Sequence, residues 1–179
     1  MQLRVELICH PDTPAAAIDS VSVEISMTDI EDVLLSFAIT PAYALAVPEP
    51  VSPGRADDLW QRTCCELFLK REGEEGYFEF NLSPSGQWAA YAFDDYRAGM
   101  RDLVLPVDPQ IEVARQGGAF VLEADIDLAA IPAGRSWLNL TAVIEETDGT
   151  KSYWALAHPA EKPDFHHPDG FVLALPVQA

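Results

Sequence analysis

The chain has 179 residues, 49% of them hydrophobic and 22% charged, which is the composition of a globular protein and not of a disordered one. A formal net charge of −18 repels phosphate backbones and anionic lipid, and so argues against nucleic acid or membrane partners. No apolar run approaches the ~20 residues needed to span a bilayer, and the length fits one domain over residues 1–179.

The opening MQLRVELI alternates Leu3, Val5 and Leu7 and reads as a strand. It lacks the basic-then-apolar pattern of an export signal, so a cytoplasmic location is the expectation. SVSVEISM and DVLLSFAI follow as two more strands. Residues 40–58, TPAYALAVPEPVSPGRADD, form an irregular stretch of the length that usually lies over a site or a sheet edge. CCELFLK, YFEFNL and WAAYAF come next, divided by the turn chemistry of REGEEG and SPSGQ. DDYRAGM is expected to make one short helical turn.

QIEVARQ and AFVLEADI should form a hairpin around Gly117-Gly118. DIDLAAIPAG allows a second short helical turn before Pro132. SWLNLTAVIEE and SYWALA should pair across Asp148-Gly149, and FVLALP closes the series. About ten short strands with tight turns predict an all-β fold, an antiparallel β-sandwich of jelly-roll type. The cysteines, Cys9, Cys64 and Cys65, are odd in number and two are adjacent in one strand. They make no disulfide framework and read as reduced structural thiols.

Alternate strand residues share a face. In the run from Glu66 to Lys70, Leu67 and Leu69 take one side while Glu66, Phe68 and Lys70 take the other. In YFEFNL, Phe78, Phe80 and Leu82 oppose Tyr77, Glu79 and Asn81. Paired antiparallel, the two strands send their aliphatic and Phe side chains into a core and leave Glu66, Tyr77, Glu79 and Asn81 together. That face is either solvated, as one side of an antiparallel sheet commonly is, or a recognition face. Carboxylates and amides hydrogen-bond vicinal hydroxyls, and a flat aromatic ring stacks on a pyranose. Trp60, Trp88, Tyr91 and Trp154 are the candidate platforms, with Arg97 as a further polar contact or as a partner of the carboxylates.

The stretch SYWALAHPAEKPDFHHPDGF holds His158, His166 and His167 together with Asp164 and Asp169. His158 joins the candidate ligand contacts. A metal site built from His158, Asp164, His166 and His167 is conceivable chemically, but the spacing matches no zinc signature. A loop whose histidines bond backbone carbonyls is the plainer reading.

LWQRTCCELFL, YFEFNLSPSGQWAAYAFDDYRAGM and SYWALAHPAEKPDFHHPDGF together resemble bacterial DOMON-like proteins related to family 9 carbohydrate-binding modules. The resemblance implies a β-sandwich of about ten strands with a ligand site on or at the end of one sheet. It also implies a recognition module for sugars or haem, with structural calcium in some relatives. A peptidoglycan-precursor reductase label attached to some of these relatives is set aside, since no GxGxxG nucleotide fingerprint follows a strand.

The expected function is therefore non-catalytic binding of a carbohydrate or similar small polar ligand, with no required cofactor and with haem or calcium as options. The alternatives are a haem- or metal-binding domain using the His158, His166 and His167 region, a glycosidase-like enzyme using Glu66 and Glu79, and a protein-interaction domain of unknown partner. The sequence gives no means of keeping one carboxyl protonated for catalysis, and a deeply walled, partly apolar pocket around a glutamate would change that.

Overall fold

The computed structural model describes residues 2–27 and 32–175. Every alternating run noted above contributes a strand. In chain order these are β1 (Gln2–Glu6), β2 (Ile8–Cys9), β3 (Ser20–Met27), β4 (Asp32–Thr40), β5 (Gly54–Arg55), β6 (Cys64–Arg71), β7 (Tyr77–Leu82), β8 (Gln87–Phe93), β9 (Arg101–Asp102), β10 (Gln110–Gln116), β11 (Ala119–Asp127), β12 (Ser136–Glu145), β13 (Lys151–Ala155) and β14 (Leu173–Leu175). The last residue of the FVLALP run, Pro176, lies outside the described residues.

Two sheets result. The smaller runs β1-β3-β4-β11-β10 and the larger runs β2-β13-β12-β6-β7-β8-β5. β14 pairs with the part of β12 that β13 leaves free, and β9 pairs with β8. Pairing is antiparallel except between β5 and β8. The fold is an antiparallel β-sandwich.

The first predicted strand divides between the sheets: β1 edges the smaller and β2 the larger, with buried Leu7 at the crossing. Both expected hairpins form. Gly117 and Gly118, at φ 59° and 87°, make the two-residue turn between β10 and β11. Positive φ at both positions matches the right-handed twist of the flanking strands. Neither expected helical turn is a helix. Asp95 and Ala98 close a tight bridge with Arg97 at φ 52°, a left-handed conformation that cannot continue a helix. After β11, the Ile131 N–H donates to the Leu128 carbonyl at 2.8 Å in a single turn. Short 3-10 turns occur instead at Leu59–Gln61 and Pro168–Gly170.

The core lies between the sheets. Leu35, Phe37 and Ile39 of the smaller sheet meet Leu67, Leu69, Phe80 and Leu82 of the larger. Each such side chain stabilises the fold by roughly 1.5–3 kcal/mol on burial. Trp88 and Trp154, expected as ring platforms, belong to this core and are 4% and 5% exposed. The period of β8 decides the first, since it places Trp88 and Ala90 inward and Tyr91 and Phe93 outward. Trp154 satisfies its indole N–H internally on Ser152 Oγ at 2.9 Å. The three cysteines are free thiols. Among the described residues no helix is long and apolar enough to cross a membrane.

Trp88→Ala should therefore behave as a core truncation. Urea unfolding is expected to show a loss of ~3–5 kcal/mol, as for other buried aromatic deletions.

Candidate functional site

The outer face of the larger sheet is a grid fixed by strand register. One row across it reads Thr141, Glu66, Asn81, Ala89; the next reads Asn139, Phe68, Glu79, Tyr91. Glu66 and Glu79 are thus diagonal neighbours on paired strands. This face is not open to water. Phe165 and Phe171 fold back over Phe68, with ring centroids 6.5 and 6.4 Å away, and Tyr77 stacks on Phe93 at 4.6 Å. A second, smaller apolar cluster forms there.

Beside it a cleft of about 810 Å³ opens, with Glu66, Phe68, Glu79, Tyr91 and Phe93 in its floor. Three segments build the rim: Asp57, Asp58 and Trp60; Arg97, Met100 and Asp102; and Lys162 to His166. Residues 40–58 thus reach the site, as their length implied, with Asp57 accepting from the Tyr91 hydroxyl at 2.6 Å.

Both carboxylates are buried, Glu66 at 2% exposure and Glu79 at 6%. Glu66 Oε2 accepts from Thr141 Oγ1 at 2.8 Å, and Glu79 Oε1 accepts from Asn81 Nδ2 at 2.8 Å. Among the described residues neither has a Lys or Arg ion-pair partner within 4 Å; Glu79 faces His166 at 3.9 Å. Burial raises the proton affinity of both, repulsion from Glu79 adds to it at Glu66, and the Thr141 bond opposes it there. At Glu79 the Asn81 bond and then the Arg97 charge oppose it without reversing it. The walled, partly apolar environment that the sequence did not disclose is present.

His166 is neutral, since burial and then the Arg97 charge lower its pKa to about 4. The Arg97 backbone N–H donates to the Tyr77 oxygen at 3.2 Å, and the Tyr77 hydroxyl is hydrogen-bonded to His166 Nδ1 at 2.7 Å. His166 Nε2 faces Glu79 Oε2. Burial first, then the Glu79 charge, push Tyr77 up to about 12, although the Arg97 N–H bond opposes them.

Arg97 does not join the carboxylates. Its guanidinium donates to Asp164 Oδ1 at 2.7 Å, and the Tyr96 hydroxyl donates to Asp164 Oδ2 at 2.6 Å. Burial alone would raise the Asp164 carboxyl, but the bonds from Tyr96 and Arg97 outweigh it and hold it below the usual range. This pair ties the 94–98 turn to the 162–166 segment across one end of the cleft.

Of the predicted contacts, Glu66, Glu79, Tyr91, Arg97 and the 49% exposed Trp60 line the cleft. Tyr77 and Asn81 support it from behind, through His166 and Glu79. Trp88 and Trp154 face the opposite interior. His158 lies elsewhere, donating from Nε2 to the Ile8 carbonyl at 2.7 Å and packing edge-on against His10. The candidate metal residues do not converge. His167 Nδ1 accepts the Asp169 N–H, Asp164 is taken by Tyr96 and Arg97, and His166 by Tyr77. Among the described residues no three His, Cys, Asp or Glu side chains are placed to hold a metal. Sequence reasoning missed Phe68 in the floor, Phe165 on the rim and Phe171 packed behind them. Two phenylalanines in an irregular stretch were the available signal, because each needs an apolar surface to cover.

No family model and no curated protein matches the chain. Among solved structures, a candidate carbohydrate-binding protein from Bacteroides uniformis superposes with a TM-score of 0.72 at 18% identity. The match covers 97% of this chain and 85% of that one. Two structures of a family 9 carbohydrate-binding module from Caldicellulosiruptor kristjanssonii, with cellotriose and with glucose, superpose less well. Their TM-scores are 0.49 and 0.47 at 9% and 11% identity, over 80% of this chain and 68% and 69% of theirs. At 18% identity the first likeness establishes a shared sandwich and nothing finer.

The buried carboxyls set a pH dependence. In the unfolded chain a Glu side chain ionises near pH ~4.3, whereas in the fold Glu66 and Glu79 keep protons to higher pH. Between those limits the native state binds more protons, so stability falls as pH rises through the folded values. Glu66→Gln keeps the acceptor for Thr141 and removes the charge. Melting curves should show the variant gaining on the parent from pH 4 upward, by at least ~2 °C at alkaline pH, the shift that about 1 kcal/mol makes in a domain of this size.

Proposed function

We propose that this chain is a non-catalytic recognition domain that binds a carbohydrate in the cleft over Glu66 and Glu79. The observation that carries the reading is the pairing of those buried, outward-looking carboxylates with an exposed aromatic on the rim. Hydroxyl-rich ligands need acceptors that are already desolvated and held in place, together with a flat ring to stack on. Glu66 and Glu79 supply the acceptors, fixed by Thr141 and Asn81, and Trp60 supplies the ring. A cleft of about 810 Å³ accommodates a short oligosaccharide. The description of the Bacteroides uniformis protein as a candidate carbohydrate binder points the same way, and affinity with DOMON-like proteins is part of the same proposal.

A glycosidase is the second reading, favoured by the raised proton affinity of two neighbouring carboxyls. Hydrolysis requires carboxyls that flank the bond to be cut, one donating a proton and the other attacking or activating water. Glu66 and Glu79 stand side by side on one sheet face, beneath the ligand. That placement suits gripping over cleavage.

Isothermal titration against a panel of oligosaccharides, with product analysis of the same mixtures, tests both readings. Binding without turnover is the expected result. Trp60→Ala should weaken it about tenfold, the loss of roughly 1.4 kcal/mol of stacking, with the melting temperature unchanged. No heat at millimolar sugar would sink the proposal, and released product would replace it with the enzyme.

A further inference from the structure

The carboxylates that line this cleft outnumber its cations. Asp102 pairs with Arg55 at 3.7 Å and Arg97 pairs with Asp164 at 2.7 Å, which leaves Asp57, Asp58, Glu66 and Glu79 facing the cleft against the exposed Lys162. Glu66 lines the cleft at 2% exposure, and the Thr141 hydroxyl is the one hydrogen-bond donor recorded for its carboxylate among the described residues. Directly opposite it in register, behind the floor, Asn81 Oδ1 is buried and lacks a partner among the described residues. Its orientation is set by Asn81 Nδ2, which donates to Glu79. A buried carboxylate with one hydrogen bond and no cation is under-satisfied, so Glu66 and Glu79 mark the place where a ligand's N–H groups complete the site.

A neutral sugar hydroxyl brings one donor. An ammonium brings three, together with the charge that two carboxylates lack. The walls add to the match, because Trp60, Tyr91 and Phe93 turn π faces or edges toward a space that an ammonium-bearing ring would fill.

We propose that the preferred ligand is an amino sugar, a saccharide with a free primary amine, whose ammonium seats over Glu66 and Glu79. The proposal rests on the carbohydrate reading above and narrows it. The groups facing the carboxylates are the Cys64 thiol beside Glu66, and neutral His166, Arg97, Tyr77 and Tyr91 around Glu79. None of them is a cation free to take the ligand's place, since Arg97 is held by Asp164. In the empty cleft the carboxyl pair retains a proton, and a bound ammonium displaces it.

Titration calorimetry with three β-1,4-linked trimers that differ only at C2, namely 2-amino, 2-acetamido and 2-hydroxy, tests this, with ethanolamine as an amine lacking the ring. The 2-amino trimer is expected to bind at least about tenfold tighter than the other two at pH 6.5. Its measured heat should vary with buffer ionisation enthalpy, reporting proton release. Glu66→Gln, which should fold at least as stably as the parent, should abolish the proton release and bring the affinity of the 2-amino trimer down to that of the 2-hydroxy trimer. Equal affinity for the 2-amino and 2-hydroxy trimers overturns the ammonium proposal and leaves the carbohydrate reading standing. Ethanolamine binding as tightly as the 2-amino trimer overturns the carbohydrate reading on which the proposal rests, and silence from all four overturns both.

Discussion

The middle strands of the larger sheet are buried on both faces, and only the two-residue period of a strand separates what each interior receives. In β6 the residues from Cys64 to Leu69 are all buried, yet Leu67 and Leu69 enter the intersheet core while Glu66 and Phe68 enter the roofed face. A one-residue slip would exchange the two sets. Register is therefore held on both sides, by hydrocarbon packing on one and by the Thr141–Glu66 hydrogen bond between β12 and β6 on the other. Glu66 cannot shift without dragging Leu67 out of a close-packed core. The floor of the cleft inherits the rigidity of the sandwich.

That rigidity explains how two carboxylates persist in a place where they destabilise the fold. Moving an ionised carboxylate out of water costs several kcal/mol when no cation accompanies it. Here the cost is reduced by one hydrogen bond to each group and by the retained proton, and the remainder is offset by the apolar core beneath. Both lie in one row-and-diagonal pattern of the same face, where the proposed site would use them. His166 fits this logic. Its neutral ring shares the aromatic wall and turns Nε2 toward Glu79 without adding a positive charge.

Much of this was legible in the sequence, for physical reasons that differ by element. Strand alternation depends only on local order, so the sandwich, both hairpins and the company of Glu66, Tyr77, Glu79 and Asn81 on one face could all be read directly. The tryptophans could not be placed as easily. Trp88 precedes two alanines and a tyrosine, a run in which either face is apolar enough to be the core, so only tertiary packing decides. Arg97 looked like a partner for the glutamates because its true partner, Asp164, lies 67 residues further along the chain. The roof was hidden because Phe165 and Phe171 sit in irregular chain, where no period announces a direction.

The rim is held differently from the floor, and the difference bears on recognition. Arg97 and Asp164 tie two loops together, but the guanidinium side is half exposed, and a pair of that kind contributes little net stability in water. The stronger hold on the 162–171 segment is aromatic, through His166, Phe165 and Phe171 against Phe68 and Tyr77, with the buried Tyr77–His166 bond at its centre. The Arg97–Asp164 pair therefore sets where the rim sits more than whether it is folded. In the proposed recognition domain, a rim set by a solvent-facing pair above a floor locked into the core would divide the work of binding. The loops would govern ligand size, and the two glutamates, fixed by the register of the sheet, would govern ligand charge.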